Sequence, residues 1–225
     1  MVGEQRSPAA SSTGNVIYII GPSGLPNEAV ASCLKRETGY DCFLLEGINH
    51  LHQQGLEDQS RPRLVLVDSQ GKNLARVLAE LKPYLKAKHA NNKVVLFNMQ
   101  RELAIEKKCV LKGISGFFYK RDPLDIVLKG VRAVLEGELW ISRKTLTNCI
   151  LESTRGKRDS QSGRPVLTSR ESEILALVAI GATNEEIADR LCISPHTVKT
   201  HLYNIFKKIS VPNRIQAALW AAKHL

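Results

Sequence analysis

His196, Lys199, Thr200, Tyr203 and Lys207 are spaced to fall on the flanks and back of one helix, and each carries a hydrogen-bond donor or a positive charge. No Asp or Glu occurs between Pro195 and Arg214. Side chains of this kind reach phosphate oxygens and base edges, and an absence of carboxylates lets them approach a polyanion. On the opposite side, Val198, Leu202, Ile205 and Ile209 follow at steps of four, three and four, the period of an apolar helical stripe. An ordinary helical bundle accounts for the stripe but not for the acid-free outward face. A second group suits different chemistry. Trp140 offers a stacking surface, Arg143 a fork that matches the O6/N7 edge of guanine, and Ser142 a hydroxyl beside a helix start where phosphate is favoured. Those three side chains together fit a guanine nucleotide. The competing reading has Trp140 packed inside and Arg143 left exposed.

Local signals place both groups. Thr183-Asn184-Glu185-Glu186 forms a capping box and opens a short helix through Leu191. Cys192-Ile193 turns the chain, Ser194 caps the next helix, and Pro195 takes its first position, where a missing N–H costs nothing. Thr168-Ser169-Arg170-Glu171 and Asn213-Arg214-Ile215-Gln216 open a helix before and a helix after. Four helices in residues 166–225 result, with a helix-turn-helix over 184–203 whose second helix suits a major groove. Upstream, short β-branched or aromatic runs (Val16–Ile20, Cys42–Leu45, Leu64–Val67, Val94–Phe97, Phe117–Tyr119) alternate with helical patterns such as Leu74, Val77, Leu78, Leu81 and Leu85. Alternation of this kind predicts an α/β fold, a doubly wound, parallel five-stranded sheet over residues 15–151. Helices from Leu124 to Leu135 and from near Ser142 complete it. Residues 1–14 read as a disordered tail, and the polar, Gly/Ser-rich stretch 152–165 as a linker.

Bulk properties set limits. The chain has 225 residues, 43% apolar and 24% charged, which predicts a folded protein with room for two domains. Five scattered cysteines (Cys33, Cys42, Cys109, Cys149 and Cys192) without a Cys-x-x-Cys pair argue against zinc or a disulfide framework and fit a reducing cytoplasm. A signal peptide is not expected, since Ser7 to Gly14 is polar and small, and no run is long enough to span a bilayer. Of the net charge of +10, residues 166–225 contribute only seven Lys/Arg against five Asp/Glu. Most of the excess therefore lies upstream, where it would steer the chain toward DNA, favour an anionic ligand, or merely be solvated. No nucleophile–base pair or metal-ligand cluster is evident, so an enzyme is not expected, nor a cofactor.

Leu167-Thr168-Ser169-Arg170-Glu171, Gly181-Ala182-Thr183-Asn184-Glu185-Glu186-Ile187-Ala188 and Thr197-Val198-Lys199-Thr200-His201 resemble the LuxR/FixJ-type helix-turn-helix. The resemblance implies that Lys199, Thr200 and Tyr203 face base edges, with Thr197, Lys207 and Arg214 against the DNA backbone. The preceding βα units resemble a flavodoxin-like receiver domain, with Asp68 where such domains accept phosphate and Lys120 where they keep a lysine. Phosphotransfer also needs Mg²⁺ on oxygen ligands, which receivers supply from acids after the first strand. Here that place reads Ile20-Gly21-Pro22-Ser23-Gly24, with no carboxylate between Asn15 and Asn27, and Phe97 is followed by Asn98. The domain therefore reads as a degenerate receiver, its Asp68 and Lys120 left as a structural ion pair.

Trp140-Ile141-Ser142-Arg143 resembles the Trp-[Phe/Leu/Met]-[Ser/Thr]-Arg motif of the CsgD/VpsT group, although Ile141 lies outside the usual set at its position. That resemblance implies cyclic di-GMP bound by Trp140, Ser142 and Arg143 at a homodimer interface along the sixth helix, with Ile150 at the contact. It implies a cytoplasmic transcription regulator of biofilm-matrix and motility genes, with double-stranded DNA and RNA polymerase as partners and no membrane. Dimerisation would set two helix-turn-helix units on half-sites about 34–36 Å apart. Two other expectations stand beside it: a response regulator phosphorylated at Asp68, and a ligand-independent regulator controlled by abundance.

Overall fold

The computed structural model describes residues 16–53, 63–85, 92–155 and 167–225. Strands β1 (Val16–Ile20), β2 (Asp41–Leu45), β3 (Arg63–Asp68), β4 (Asn92–Met99) and β5 (Gly116–Tyr119) form one parallel sheet in the order β2-β1-β3-β4-β5. Helices α1 (Leu25–Thr38), α2 (His50–Gln53), α3 (Leu74–Leu81), α4 (Leu103–Leu111) and α5 (Leu124–Leu135) link and follow the strands. Because both faces are covered, the strands are continuous apolar runs, and β3 is buried at every residue. Alternate residues serve opposite faces. Ile17, Ile19, Leu64, Leu66 and Val95 meet Ala31 and Leu34 of α1 and Val131 and Val134 of α5. Tyr18, Ile20, Val65, Val67, Val94 and Leu96 meet Val77, Leu78 and Leu81 of α3 and Cys109 and Val110 of α4.

The doubly wound sheet is as the sequence predicts, with local differences. The periodicity that runs on to Leu85 yields a helix only to Leu81, since Pro83 has no N–H to extend it. β4 is longer than its apolar core and carries an irregularity between Leu96 and Met99, where Asn98 takes a left-handed φ of 56°. The sixth helix, α6 (Arg143–Arg155), runs into the stretch expected as linker, so residues 152–155 are helical. Residues 1–14 and the rest of that linker to Pro165 lie outside the described residues.

The last four helices are α7 (Ser169–Ala179), α8 (Asn184–Leu191), α9 (Pro195–Lys208) and α10 (Arg214–His224). Thr168 and Thr183 form capping boxes with Glu171 and Glu186, and Ser194 and Asn213 cap α9 and α10 through side-chain oxygens. Val198, Leu202, Ile205 and Ile209 pack with Ile174, Val178 and Ile187 into a core of their own. α10 belongs to two cores. Its Ala217 and Ala221 join that helical core, while Ile215 and Leu219 are buried in the cluster beneath the sheet.

Candidate DNA-reading helix and ligand segment

Apolar burial of Val198, Leu202 and Ile205 fixes how α9 is rolled, and thereby which residues face outward. Thr200 and Lys207 are exposed, whereas Thr197, Lys199 and Tyr203 are half-buried. Thr197 shares a 2.8 Å hydrogen bond with Ser194 Oγ at the helix start, and Thr200 Oγ1 donates to the His196 carbonyl at 3.1 Å. Tyr203 leans on the helical core. Lys208 Nζ donates to Glu171 Oε2 at 2.7 Å, pinning the end of α9 to α7.

Two of the expected DNA contacts are engaged within the chain. The Lys199 side chain keeps 24% of its exposure, with Nζ 3.7 Å from Glu136 Oε2 just past α5. Arg214, expected against the DNA backbone, is instead buried, with 7% of its side chain exposed. Its guanidinium donates to Asn184 Oδ1 at 2.8 Å and to the Ala182 carbonyl, and lies 3.8 Å from Glu138 Oε1. Burial pulls its pKa down and Glu138 opposes that pull. The physical reason is its place at the first turn of α10, which is wedged between two cores, so the guanidinium ties α8 to α10 rather than reaching solvent.

Residues 136–142, between α5 and α6, reach three parts of the molecule. Glu138 Oε1 accepts from the Asn184 backbone N–H at 2.9 Å, at the first residue of α8, and the Glu136 carbonyl accepts from the Asn184 side chain. Trp140 makes a parallel one-residue bridge to Gly116, donating to the Ser115 carbonyl and accepting from Phe117 N, both at 3.0 Å. Its indole lies 6.4 Å from the Phe118 ring, tilted by 49°. Glycine makes room for it, because a Cβ at Gly130 would stand 2.4 Å from Phe118 and 2.7 Å from Trp140. Trp140 is thus half-buried against α5 and β5, while Arg143 is exposed at the first residue of α6.

Ser142 is engaged locally. Its Oγ accepts from Thr145 N at 3.1 Å and shares a 2.8 Å hydrogen bond with Thr145 Oγ1, which donates to Glu106 Oε2 at 2.5 Å. Tyr119 OH donates to the other oxygen of Glu106 at 2.9 Å, and the Arg101 guanidinium sits 4.1 Å from the centre of the Tyr119 ring. Burial and the Glu106 carboxylate both push the Tyr119 phenol above its ordinary range. This chain of polar groups fixes the start of α6 to α4 and β5. Ile150 stands on α6, and its side chain lies outside the described residues.

At the sheet edge, Asp68 is buried but does not pair with Lys120, which corrects the expected ion pair. Asn98 Nδ2 reaches Asp68 Oδ1 at 3.0 Å, Gln70 N donates to the same oxygen at 3.0 Å, and Asn27 Nδ2 lies 3.4 Å from Oδ2. Two amide side chains hold the carboxylate where a cation would otherwise balance it. The left-handed backbone at Asn98 aims its amide there. Lys120 lines an adjacent cavity of about 260 Å³ with Gln70, Lys72, Asn98 and Gln100. Among the described residues no His, Cys, Asp or Glu group is arranged to hold a metal ion, and no helix is long and apolar enough to cross a membrane.

Sequence reasoning named Trp140, Arg143 and the α9 donors as candidates and did not single out Glu136, Glu138, Asn184 or Glu106. The one available signal was the pair of acids four and two residues before Trp140, standing in a chain whose α9 has none.

Comparison with known proteins adds the family. Residues 165–221 match the bacterial regulatory proteins of the luxR family, and residues 44–143 match the VpsT-like receiver domain. The chain is 34% identical over 215 residues to the probable csgAB operon transcriptional regulatory protein of Salmonella typhimurium (strain LT2), covering 96% of each chain. It is 34% identical over 212 residues to the CsgBAC operon transcriptional regulatory protein of Escherichia coli (strain K12), covering 94% of this chain and 95% of that one. The crystal structure of the regulatory domain of the master biofilm regulator CsgD aligns with 60% of this chain and 98% of its own, at 23% identity and a TM-score of 0.48.

Proposed function

The chain belongs to the LuxR family of bacterial regulatory proteins, with a VpsT-like receiver domain ahead of the helix-turn-helix, and from that premise we propose a regulator that reads DNA through α9 and is controlled by cyclic di-GMP-dependent dimerisation. Lys199, Thr200 and Tyr203 read base edges, with Thr197 and Lys207 on the phosphates. The observation that carries the ligand reading is the pairing of a half-exposed Trp140 with an exposed Arg143 across the start of α6. An indole face, a guanidinium fork and the open amides of a first helical turn are the groups a guanine nucleotide needs. Ser142 contributes by shaping that helix start, since its hydroxyl is committed to Thr145.

The ligand acts by preferring the dimer over the monomer, with the two sixth helices face to face and Ile150 at the contact. Two helix-turn-helix units are then presented to the two half-sites of an operator, and RNA polymerase is the further partner. The relatives are named for the operons they regulate, and the family resemblance extends the targets to biofilm-matrix and motility genes.

A second reading draws on the packing of Trp140 against Phe118 and Gly130. In it, Trp140 is a seam residue and the regulator acts without ligand. Isothermal titration of cyclic di-GMP into the full chain, and into Arg143→Ala, separates the two. Heat of binding with wild type that disappears in the variant, together with a doubled mass in ultracentrifugation, is the expected result. No binding by wild type at tens of micromolar would leave the second reading standing.

A further inference from the structure

We propose that the cavity beyond the carboxyl ends of β3, β4 and β5 is a binding site for a small organic dicarboxylate, held end to end between Lys72 and Lys120.

The five parallel strands deliver their following loops to one edge of the sheet, and open sheets of this kind bind ligands there. The cavity at that edge measures about 260 Å³. That is room for about eight waters at their share of the liquid, and less than a drug-sized ligand fills. Lys72 belongs to the loop after β3 and Lys120 follows β5 directly, with β4 between those strands. The two lysines therefore approach from opposite sides, since the strands they follow lie two spacings, roughly 10 Å, apart. Lys72 is half-buried and Lys120 exposed. Among the described residues, neither ammonium is held in an ion pair.

Amides stand between the lysines. Gln70, Asn98 and Gln100 line the cavity, and each side-chain amide carries two N–H donors. Asn98 Nδ2 gives one hydrogen to Asp68 Oδ1 at 3.0 Å and keeps a second for an occupant. Leu74, Met99 and Ile105 supply an apolar surface for a short carbon body. Cations at two ends, donors between them and apolar contacts alongside match two carboxylates joined by about two or three carbons. An anion with its charge at one point could meet both lysines only by drawing them together against their own repulsion. Glu102 is the single carboxylate lining the cavity, and it stands exposed, where it opposes an anion.

Asp68 takes no covalent part. Its oxygens accept from Asn98, Gln70 and Asn27. Because those amides replace the ion pair with Lys120, the lysine is left to the cavity. Ile105, in the cavity wall, precedes Glu106, which accepts from Thr145 near the start of α6. An occupant therefore sits against the helix that anchors α6.

The test is isothermal titration on the full chain, without divalent cations, using succinate, acetate and inorganic phosphate as probes. Succinate should bind with a Kd of about 0.1–1 mM. Acetate should bind about tenfold more weakly or not at all, since one carboxylate meets one ammonium. Lys72→Gln and Lys120→Gln should each weaken succinate about tenfold and erase its advantage over acetate. The control Lys129→Gln, which removes the same charge at an exposed site on α5, should change the Kd less than about twofold. Glu102→Gln should tighten binding about twofold or more, a gain that damage to the fold cannot imitate. No heat with succinate at about 10 mM, or acetate or phosphate binding as tightly as succinate, would overturn the proposal. So would equal losses in Lys129→Gln and the two lysine variants of the cavity, or no gain in Glu102→Gln.

Discussion

At the end of β3, Asp68 is held by two asparagine side chains and a backbone amide, and all three partners lie within the α/β unit. At the end of α5, Glu136 and Glu138 reach out of that unit and hold Lys199, Asn184 and Arg214 of the helix-turn-helix. Both places carry acids at the rim of one sheet, with Asp68 buried, Glu138 half-buried and Glu136 exposed. Their environments differ in what can respond. Asp68 faces amides, which neutralise its hydrogen-bonding needs without supplying a cation for phosphoryl chemistry. The glutamates face the Lys199 ammonium, the buried Arg214 guanidinium and the Asn184 N–H. The contacts of Glu136 and Glu138 join the α/β unit to the helix-turn-helix, and those of Asp68 do not.

The largest effect is expected at Arg214. If the comparison is right, Arg214→Ala removes a buried charge that three partners depend on, and chemical denaturation should show a loss of about 3 kcal/mol or more. An ordinary DNA-backbone contact would instead weaken binding with stability unchanged.

Gly130→Ala probes the same turn from below. The added methyl meets Phe118 and Trp140 closer than carbon atoms pack, so a loss of about 1–3 kcal/mol with altered tryptophan fluorescence is expected. Unchanged fluorescence would mean that Trp140 does not sit on α5.

Lys199→Ala should leave stability nearly unchanged, because its partner Glu136 is exposed. It should cost about 1–3 kcal/mol in specific DNA binding and relax one base preference. In contrast, Lys207→Ala should lower affinity evenly and reduce the salt slope by about one.

Asp68→Asn should matter least. Its hydrogen bonds are each worth about 1 kcal/mol, and none reaches the helix-turn-helix, so DNA affinity should stay within about twofold. A small-molecule phosphodonor with Mg²⁺ should add no mass to the wild type. A phosphorylated chain with tighter DNA binding would restore the sheet edge as the input.

The sheet, its order of helices and strands, and all four caps of the C-terminal helices were legible because each rests on local chemistry. A capping hydroxyl and its glutamate lie three residues apart, and an apolar stripe repeats every three or four. Lys199, Trp140 and Arg143 were legible for a similar reason, since residue type and spacing within one element revealed what they offer. The ion pair expected between Asp68 and Lys120 failed because Asn98 takes a left-handed backbone that no composition rule announces. Arg214 was misplaced because a first-turn arginine faces solvent or protein according to what its helix rests on. Here α10 rests on two cores.

By itself the sequence determined the strand cores and the capped starts of the C-terminal helices, the acid-free face of α9 and the loss of the acids after β1, because those follow from contacts a few residues long. Tertiary structure alone decided which acids answer that face. Glu136 and Lys199 are far apart in sequence and carry no mutual signal until the packing of α10 under the sheet sets the distance between them. Coulombic attraction and hydrogen bonds act over a few ångströms, so only the folded chain could assign those partners.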